Sequence, residues 1–302
     1  LMFCKFPPPY TGQTIGTEVT HDLIAEYLHV ATINTGYGQH RPSKLDLKWL
    51  MYHVGYSVFL LVCYFKLLRR LLDNQTDTLY IVASGTRAGL VRNMVTLLLA
   101  RPFVKSVVAH VRNGNYQEIF RRTGWRRLAK LVDKRIDHYI FLSEELNRRA
   151  DHCIAASKRS VVPNPIDEPV RCTKQDVRKK IESRRDRESY RLLYLSNMIP
   201  TKGYADVIRA VAQLRDLGVD CFKLDLVGEW VIEGTREEAE NYCVENRLQR
   251  HVEIRGAIED RLVIKEILLA ADVFILPTYY PAEAQPRSII EALNAGCPVV
   301  AT

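Results

Sequence analysis

The sequence predicts an α/β protein of two domains, each built on a parallel β-sheet, with a cleft between them. Three observations carry this. Short, β-branched apolar runs alternate with longer stretches of i, i+3, i+4 apolar spacing, the pattern of repeated βαβ units. A proline-marked, densely charged break falls near the middle. The 302 residues leave room for two domains of about 150 residues each.

In the first half the strand candidates are Leu28–Ile33, Thr78–Ala83, Ser106–His110, Tyr139–Leu142 and Ser160–Val162. Before them stands an apolar stub, Leu1 to Phe6, running into Pro7-Pro8-Pro9. Trp49 to Leu72 reads as a long helix with one face in the first domain's core; its apolar run before Lys66 is shorter than the ~20 residues of a membrane span. Residues 1–165 form the first domain. The turn Pro163-Asn164-Pro165 opens the break, and residues 166–190 read as a charged linker or surface helix. Arg178-Lys179-Lys180 and the run from Arg184 through Asp186 and Arg187 to Glu188 are too charged to bury. The second domain, 191–302, holds strand candidates Arg191–Leu195, Phe222–Val227, His251–Ile254, Val273–Leu276 and Pro298–Ala301, with helices over Asp206–Leu217 and Arg261–Ala270. A sequence that stops inside Val299-Val300 reads as a C-terminally truncated fragment with an incomplete second domain.

Composition narrows the class. Hydrophobic residues are 47% and charged residues 26%, which argues against a disordered chain, a fibre or a polytopic membrane protein. The formal net charge is +8. Ten cations against Glu118 and Asp133 between 101 and 135 account for all of it, so the basicity is local and favours anionic partners. Within it, Arg121, Arg122, Arg126, Arg127 and Lys130 interleave with Trp125, Leu128 and Leu131, a composition suited to a helix lying on anionic lipid. Seven scattered cysteines without a C-x-x-C pair, and no signal-peptide pattern, point to a reducing, cytoplasmic setting.

The sharpest motif lies between Pro277 and Val300. A strand runs into a loop bearing Glu283; Pro286 suits the first turn of a helix, which carries Glu291 and ends at Gly296. The amides of Arg287, Ser288 and Ile289 then form an anion site at a helix N-terminus, with a carboxylate on either side to accept hydrogen bonds from sugar hydroxyls. There is no Asp-x-Asp, no P-loop and no G-x-S-x-G, and Gly36-Tyr37-Gly38 lacks the third glycine of a dinucleotide fingerprint.

Glu283-x7-Glu291 followed by Ala295-Gly296-Cys297-Pro298-Val299-Val300 resembles the donor-site signature of retaining GT-B glycosyltransferases of glycosyltransferase family 4, and its Gln285-Pro286 variant resembles members that build surface polysaccharides. Four further segments agree in order. Pro7-Pro8-Pro9-Tyr10-Thr11-Gly12 resembles the family's glycine loop, where the backbone at Gly12 approaches donor and acceptor. Val107-Val108-Ala109-His110 resembles the strand that ends in a histidine facing the donor sugar. Pro163 to Asp167 resembles the crossing into the second domain. Ser196 to Gly203 resembles the phosphate-binding segment, with Lys202 on the departing diphosphate. The family usually has Arg where this chain has Asn197; Arg287 is the candidate to replace that phosphate clamp.

The resemblance implies two Rossmann-like domains facing across a cleft. It implies a metal-independent, cofactor-free glycosyltransferase that takes a UDP- or GDP-sugar and a glycan or lipid-linked acceptor, peripheral at the cytoplasmic face of a membrane. Lys202, Asn197, Gly12, Arg287, Ser288, Ile289 and Glu291 would bind the donor. Glu283 and His110 would serve the reacting sugar, and domain closure would exclude water. The alternatives are a non-catalytic or regulatory GT-B protein, which Asn197 favours, and a nucleic-acid binder using the basic patch, which lacks any recognisable binding module.

Overall fold

A computed structural model of the chain describes residues 1–8, 10–37, 47–73, 76–185 and 188–302. Pro9, Gly38, Asp186 and Arg187, named above, lie outside the described residues. The chain divides into two compact units: Leu1–Pro165 with Ala282–Gln285, and Ile166–Pro281 with Pro286–Thr302.

The first unit contains β1 (Met2–Cys4), α1 (Gly12–Ala25), β2 (Thr32–Asn34), α2 (Leu47–Leu72), β3 (Thr78–Ala83), α3 (Arg87–Ala100), β4 (Ser106–Val111), α4 (Glu118–Arg121), α5 (Arg126–Asp133), β5 (His138–Phe141), α6 (Glu144–Arg149) and β6 (Arg159–Val161). Its six strands make one parallel sheet in the order β2-β1-β3-β4-β5-β6. The strand order reverses between β1 and β3. Leu67, Leu79, Leu97, Val107 and Tyr139 are fully buried in its core; sealing a side chain of this kind from water contributes about 1.5–3 kcal/mol.

The second unit contains α7 (Lys174–Arg184), β7 (Tyr190–Leu195), α8 (Tyr204–Asp216), β8 (Phe222–Val227), α9 (Thr235–Glu245), β9 (Val252–Gly256), α10 (Arg261–Ala270), β10 (Val273–Leu276), α11 (Arg287–Asn294) and β11 (Val299–Ala301). Its parallel sheet has the order β11-β10-β7-β8-β9, around a core that includes Leu193, Tyr194, Leu224, Leu226 and Phe274. The chain winds outward from β7 through β8 to β9, then returns to the other side of β7 as β10. The order therefore reverses between β7 and β10.

Four expectations need correction. The apolar stub is β1, a buried interior strand; three residues are too few to show a period. The strand placed over Leu28–Ile33 is only Thr32–Asn34, because the amides of Tyr27 and Leu28 bond back to the Ile24 carbonyl and complete the end of α1. Of the two readings of 166–190, the helix is present as α7, but its charged run is not wholly solvated. Thr173 caps α7 in a reciprocal box with Asp176, and Lys180 is buried, its Nζ donating to the carbonyls of Leu268 and Ala295 at 3.1 and 3.0 Å. Helix α2 has the expected face in the first unit's core, through Cys63, Leu67 and Leu71 with Phe59 and Tyr64 packed against it, and leaves Leu50, Val54, Leu61 and Phe65 among its exposed residues. Finally, Trp125 and Leu128 pack against the first unit's core, with the Arg87 guanidinium 5.8 Å over the Trp125 ring. The exposed cations of that cluster therefore flank no apolar stripe; of its three apolar members only Leu131 stays exposed.

Candidate functional site

In open α/β sheets a ligand crevice forms at the carboxyl ends of the strands where their order reverses, since the two loops there part to opposite sides. In the second unit those loops are 196–203, after β7, and 277–281, after β10. They are tied together. The Tyr279 amide donates to the Thr201 carbonyl at 2.9 Å. Gly203 has φ +80°, and a Cβ there would stand 2.3 Å from the Pro277 carbonyl oxygen, so only glycine fits. Between Met198, whose amide bonds Glu229 O, and Gly203, a single 3₁₀ turn (Pro200–Lys202) carries Lys202. Its ammonium lies 5.2 Å from the centroid of the Tyr280 ring. Asn197 sits half-buried at the start of the same loop.

Helix α11 opens at Arg287. The proline expected in its first turn stands one position earlier, at the cap (φ −61°, ψ 115°), and no side chain caps the helix. Proline offers no side-chain acceptor. The first-turn amides of Arg287, Ser288 and Ile289 therefore begin an eight-residue helix whose dipole favours an anion.

The side chain of Arg287 does not join them. It is buried, and its Nη2 donates to Asp167 Oδ1 at 2.8 Å. Arg261 donates to Asp167 through Nε (2.8 Å) and Nη2 (3.1 Å), and Nη2 also donates to Glu291 Oε1 at 2.6 Å. The Arg287 Nε stands 3.9 Å from the same Glu291 oxygen. Two guanidiniums and two carboxylates thus close a buried, charge-balanced cluster. Burial pushes the Asp167 carboxyl upward, but the hydrogen bond and charge of Arg261, with Arg287 behind it, bring it below its ordinary 3.8. Asp167, far away in sequence, thus engages the Nη2 of Arg287, while its Nε and Nη1 are buried without a hydrogen-bond partner among the described residues. Glu291 is buried too, with one carboxylate oxygen already engaged.

His110 and Glu283 belong to the first unit. His110 lies on β4 opposite Val82 of β3 and is buried. Its Nδ1 is 2.5 Å from Tyr80 Oη and 3.4 Å from Arg112 Nη2. Arginine can only donate, so Nδ1 accepts and Nε2 carries the hydrogen. That Nε2–H makes no hydrogen bond among the described residues. Burial, then the charge of Arg112, push the imidazole down from 6.5 to about 2. His110 is therefore a neutral donor, not an acid–base group at neutral pH. Arg112 is fixed in turn by Gly16 O (2.8 Å), Thr20 Oγ1 (2.7 Å) and Asn164 Oδ1 (3.1 Å), and the Asn164 amide donates to Gln285 Oε1 at 2.7 Å.

The loop after β4 seats Glu283. The Gly114 amide donates to the Ala282 carbonyl at 3.0 Å, and a Cβ at Gly114 would lie 1.9 Å from the Glu283 carbonyl oxygen. Gly114→Ala is expected to cost about 1–3 kcal/mol, the usual range for forcing a methyl group into a closed contact, read as a lowered melting temperature. Gly12 is the first residue of α1, behind a Thr11–Thr14 capping box, and a Cβ there would meet nothing within 4 Å. The fold itself sets no demand for glycine at that position.

The pH dependence of His110 has a definite sign. The unfolded chain takes up a proton near 6.5, while the folded imidazole resists until about 2. The stability contributed by keeping it neutral is fully present above pH 6.5 and falls as pH drops below that value. The loss is about 1.4 kcal/mol per pH unit within the window, or about 2 kcal/mol by pH 5. His110→Gln should flatten this part of the stability–pH curve measured by urea unfolding.

Sequence reasoning missed Tyr80, Arg112, Gly114, Asp167 and Arg261 as parts of the site. Arg112 was hidden among the surface cations of 101–135, and Asp167 only closed a turn motif; neither had a local signal for its buried partners.

The fold is that of GT-B glycosyltransferase structures. Over 99% of its length the chain superimposes on Alr3699/HepE from Anabaena, solved in complex with UDP, with a TM-score of 0.69, 19% identity and 79% of that chain covered. It superimposes similarly on WaaG, described as a glycosyltransferase involved in lipopolysaccharide biosynthesis, with a TM-score of 0.64, 14% identity, and 99% and 80% of the two chains covered. Residues 175–302 match the family described as Glycosyl transferases group 1. Over 130 residues the chain is 27% identical to TuaC of Bacillus subtilis (strain 168), named as a candidate glycosyltransferase of teichuronic acid biosynthesis. That match covers 43% of this chain and spans only 28% of the relative's length.

Proposed function

We propose that the chain is a retaining, metal-independent glycosyltransferase of family 4. In this reading it moves a sugar from a nucleoside-diphosphate sugar to a hydroxyl of a glycan or lipid-linked glycan at the cytoplasmic face of a membrane. One observation carries the reading: at the strand-order reversal of the second sheet, Lys202 and the uncapped start of α11 follow β7 and β10, whose loops are bonded to each other. The match of residues 175–302 to a glycosyltransferase family supports it, as do relatives of the same fold solved with UDP and UDP-glucose.

Expelling the diphosphate is the hard step, because the bonding pair leaves with it and adds one more negative charge to the two it already carries as the anomeric bond breaks. Lys202 and the amides of Arg287, Ser288 and Ile289 offset that charge with dipoles already in place. Glu291, oriented by Arg261, accepts hydrogen bonds from the ribose. Glu283 holds donor-sugar hydroxyls and steadies the cationic anomeric carbon. His110 gives the donor sugar a hydrogen bond from Nε2 without titrating.

A second reading has a specific observation behind it. Asn197 stands where the family usually has arginine, and the charge of Arg287 is shared with Asp167 and Glu291. A GT-B protein that binds a nucleotide-sugar without transferring it fits that loss of phosphate charge. Incubation with a panel of UDP-, GDP- and ADP-sugars separates the two. Donor consumption, by transfer or slow hydrolysis, that is lost in Glu283→Ala supports the enzyme; saturable binding with no consumption supports the second reading.

A further inference from the structure

Helix α2 carries an apolar face that no other described residues cover. Leu50, Val54, Val58, Leu61, Val62 and Phe65 are all exposed, Leu61 and Phe65 at 67% and 70%. At 100° per residue they form one stripe about 120° wide. Cys63, Leu67 and Leu71, the residues buried in the first unit's core, lie on the opposite side. The helix is apolar around most of its circumference, yet it buries only a narrow strip.

Its charges are one-sided in sign. Lys48, Lys66, Arg69 and Arg70 are exposed, and the helix has no aspartate or glutamate. By length and composition it could cross a membrane, but the buried positions of its C-terminal half hold it along the first unit.

We propose that α2 docks lengthwise on a bilayer surface containing anionic lipid. The stripe from Leu50 to Phe65 enters the boundary between headgroups and acyl chains, and Lys48, Lys66, Arg69 and Arg70 meet the anionic headgroups. A second copy of the chain is the weaker partner. A symmetric pairing of α2 with itself would set these cations against each other, with no acid on the helix to answer them. The inference does not depend on the transfer reaction.

The test is co-sedimentation of the whole chain with vesicles of phosphatidylcholine, with and without phosphatidylglycerol, at low and high salt. The expected result is binding to the anionic vesicles that weakens with salt. The double variant Val58→Glu, Leu61→Glu should reduce it by roughly tenfold or more, with an unchanged melting temperature because both positions are exposed. Four results overturn the proposal: no vesicle binding; equal binding to neutral vesicles; undiminished binding of the variant; or a dimer, seen by light scattering, that the variant dissociates while wild type ignores lipid. Retention on vesicles after an alkaline carbonate wash would show a crossing helix and overturn it as well.

Discussion

On the proposed function, replacing Lys202 with alanine is expected to lower sugar transfer by about a hundred- to a thousandfold, the range for losing one preorganised group that offsets developing charge. The fold tolerates the change. Lys202 is half-buried on a surface turn, and the 3₁₀ geometry depends on Pro200, on Gly203 in its left-handed conformation and on the Thr201–Tyr279 hydrogen bond, not on the ammonium. Stability should stay within about 0.5 kcal/mol. What is lost is the only lysine of the two loops at the strand-order reversal, while Asn197 adds no charge to replace it. Initial rates of donor consumption by the whole chain read the effect. Rates near wild type would remove Lys202 from the site.

Asp167→Ala carries the largest expected cost in stability, about 3–5 kcal/mol, because it leaves Arg261 and Arg287 buried with one carboxylate between them. The penalty comes from uncompensated charge, so replacing charge on both sides is milder: Asp167→Leu together with Arg287→Met should recover a substantial part. Urea unfolding of the single and double variants checks this. The pH dependence follows from the lowered carboxyl. Its contribution is fully present above the ordinary aspartate value of 3.8 and is lost as pH falls through the lower folded value. Asp167→Ala should therefore show a flatter acid limb below pH 3.8 than wild type. A parallel acid limb would mean that the cluster does not hold the carboxylate ionised.

The fold was legible where burial writes itself into local composition. Thr78 aside, the plainest cases are 79–83 and Val273–Leu276, continuous apolar runs of parallel strands covered on both faces, while Phe222–Val227 forms its strand with Lys223 and Asp225 interrupting the apolar residues. Arg261–Ala270 shows a helical period and forms that helix. Charged residues misled the reading wherever a distant partner decided their place. Lys180 reads as solvated because its acceptors lie 88 and 115 residues away, and the ion pair of Arg287 is hidden because Asp167 lies 120 residues before it. The loop around Lys202 was marked only by its resemblance to a phosphate-binding segment; Pro200 and Gly203 fix its turn locally. The neutrality of His110 was out of reach, since it follows from Tyr80 and Arg112 closing on a buried ring. So was the uncovered stripe of α2, whose composition suits a buried helix equally well.

The most direct test is calorimetric titration of UDP, GDP and ADP into the whole chain and into Lys202→Ala. The second unit, read as a pyrophosphate cradle, predicts one saturable site for at least one of the three nucleotides, weakened at least tenfold, about 1.4 kcal/mol, without the ammonium. No binding of any of them, or equal affinity in the variant, would contradict it.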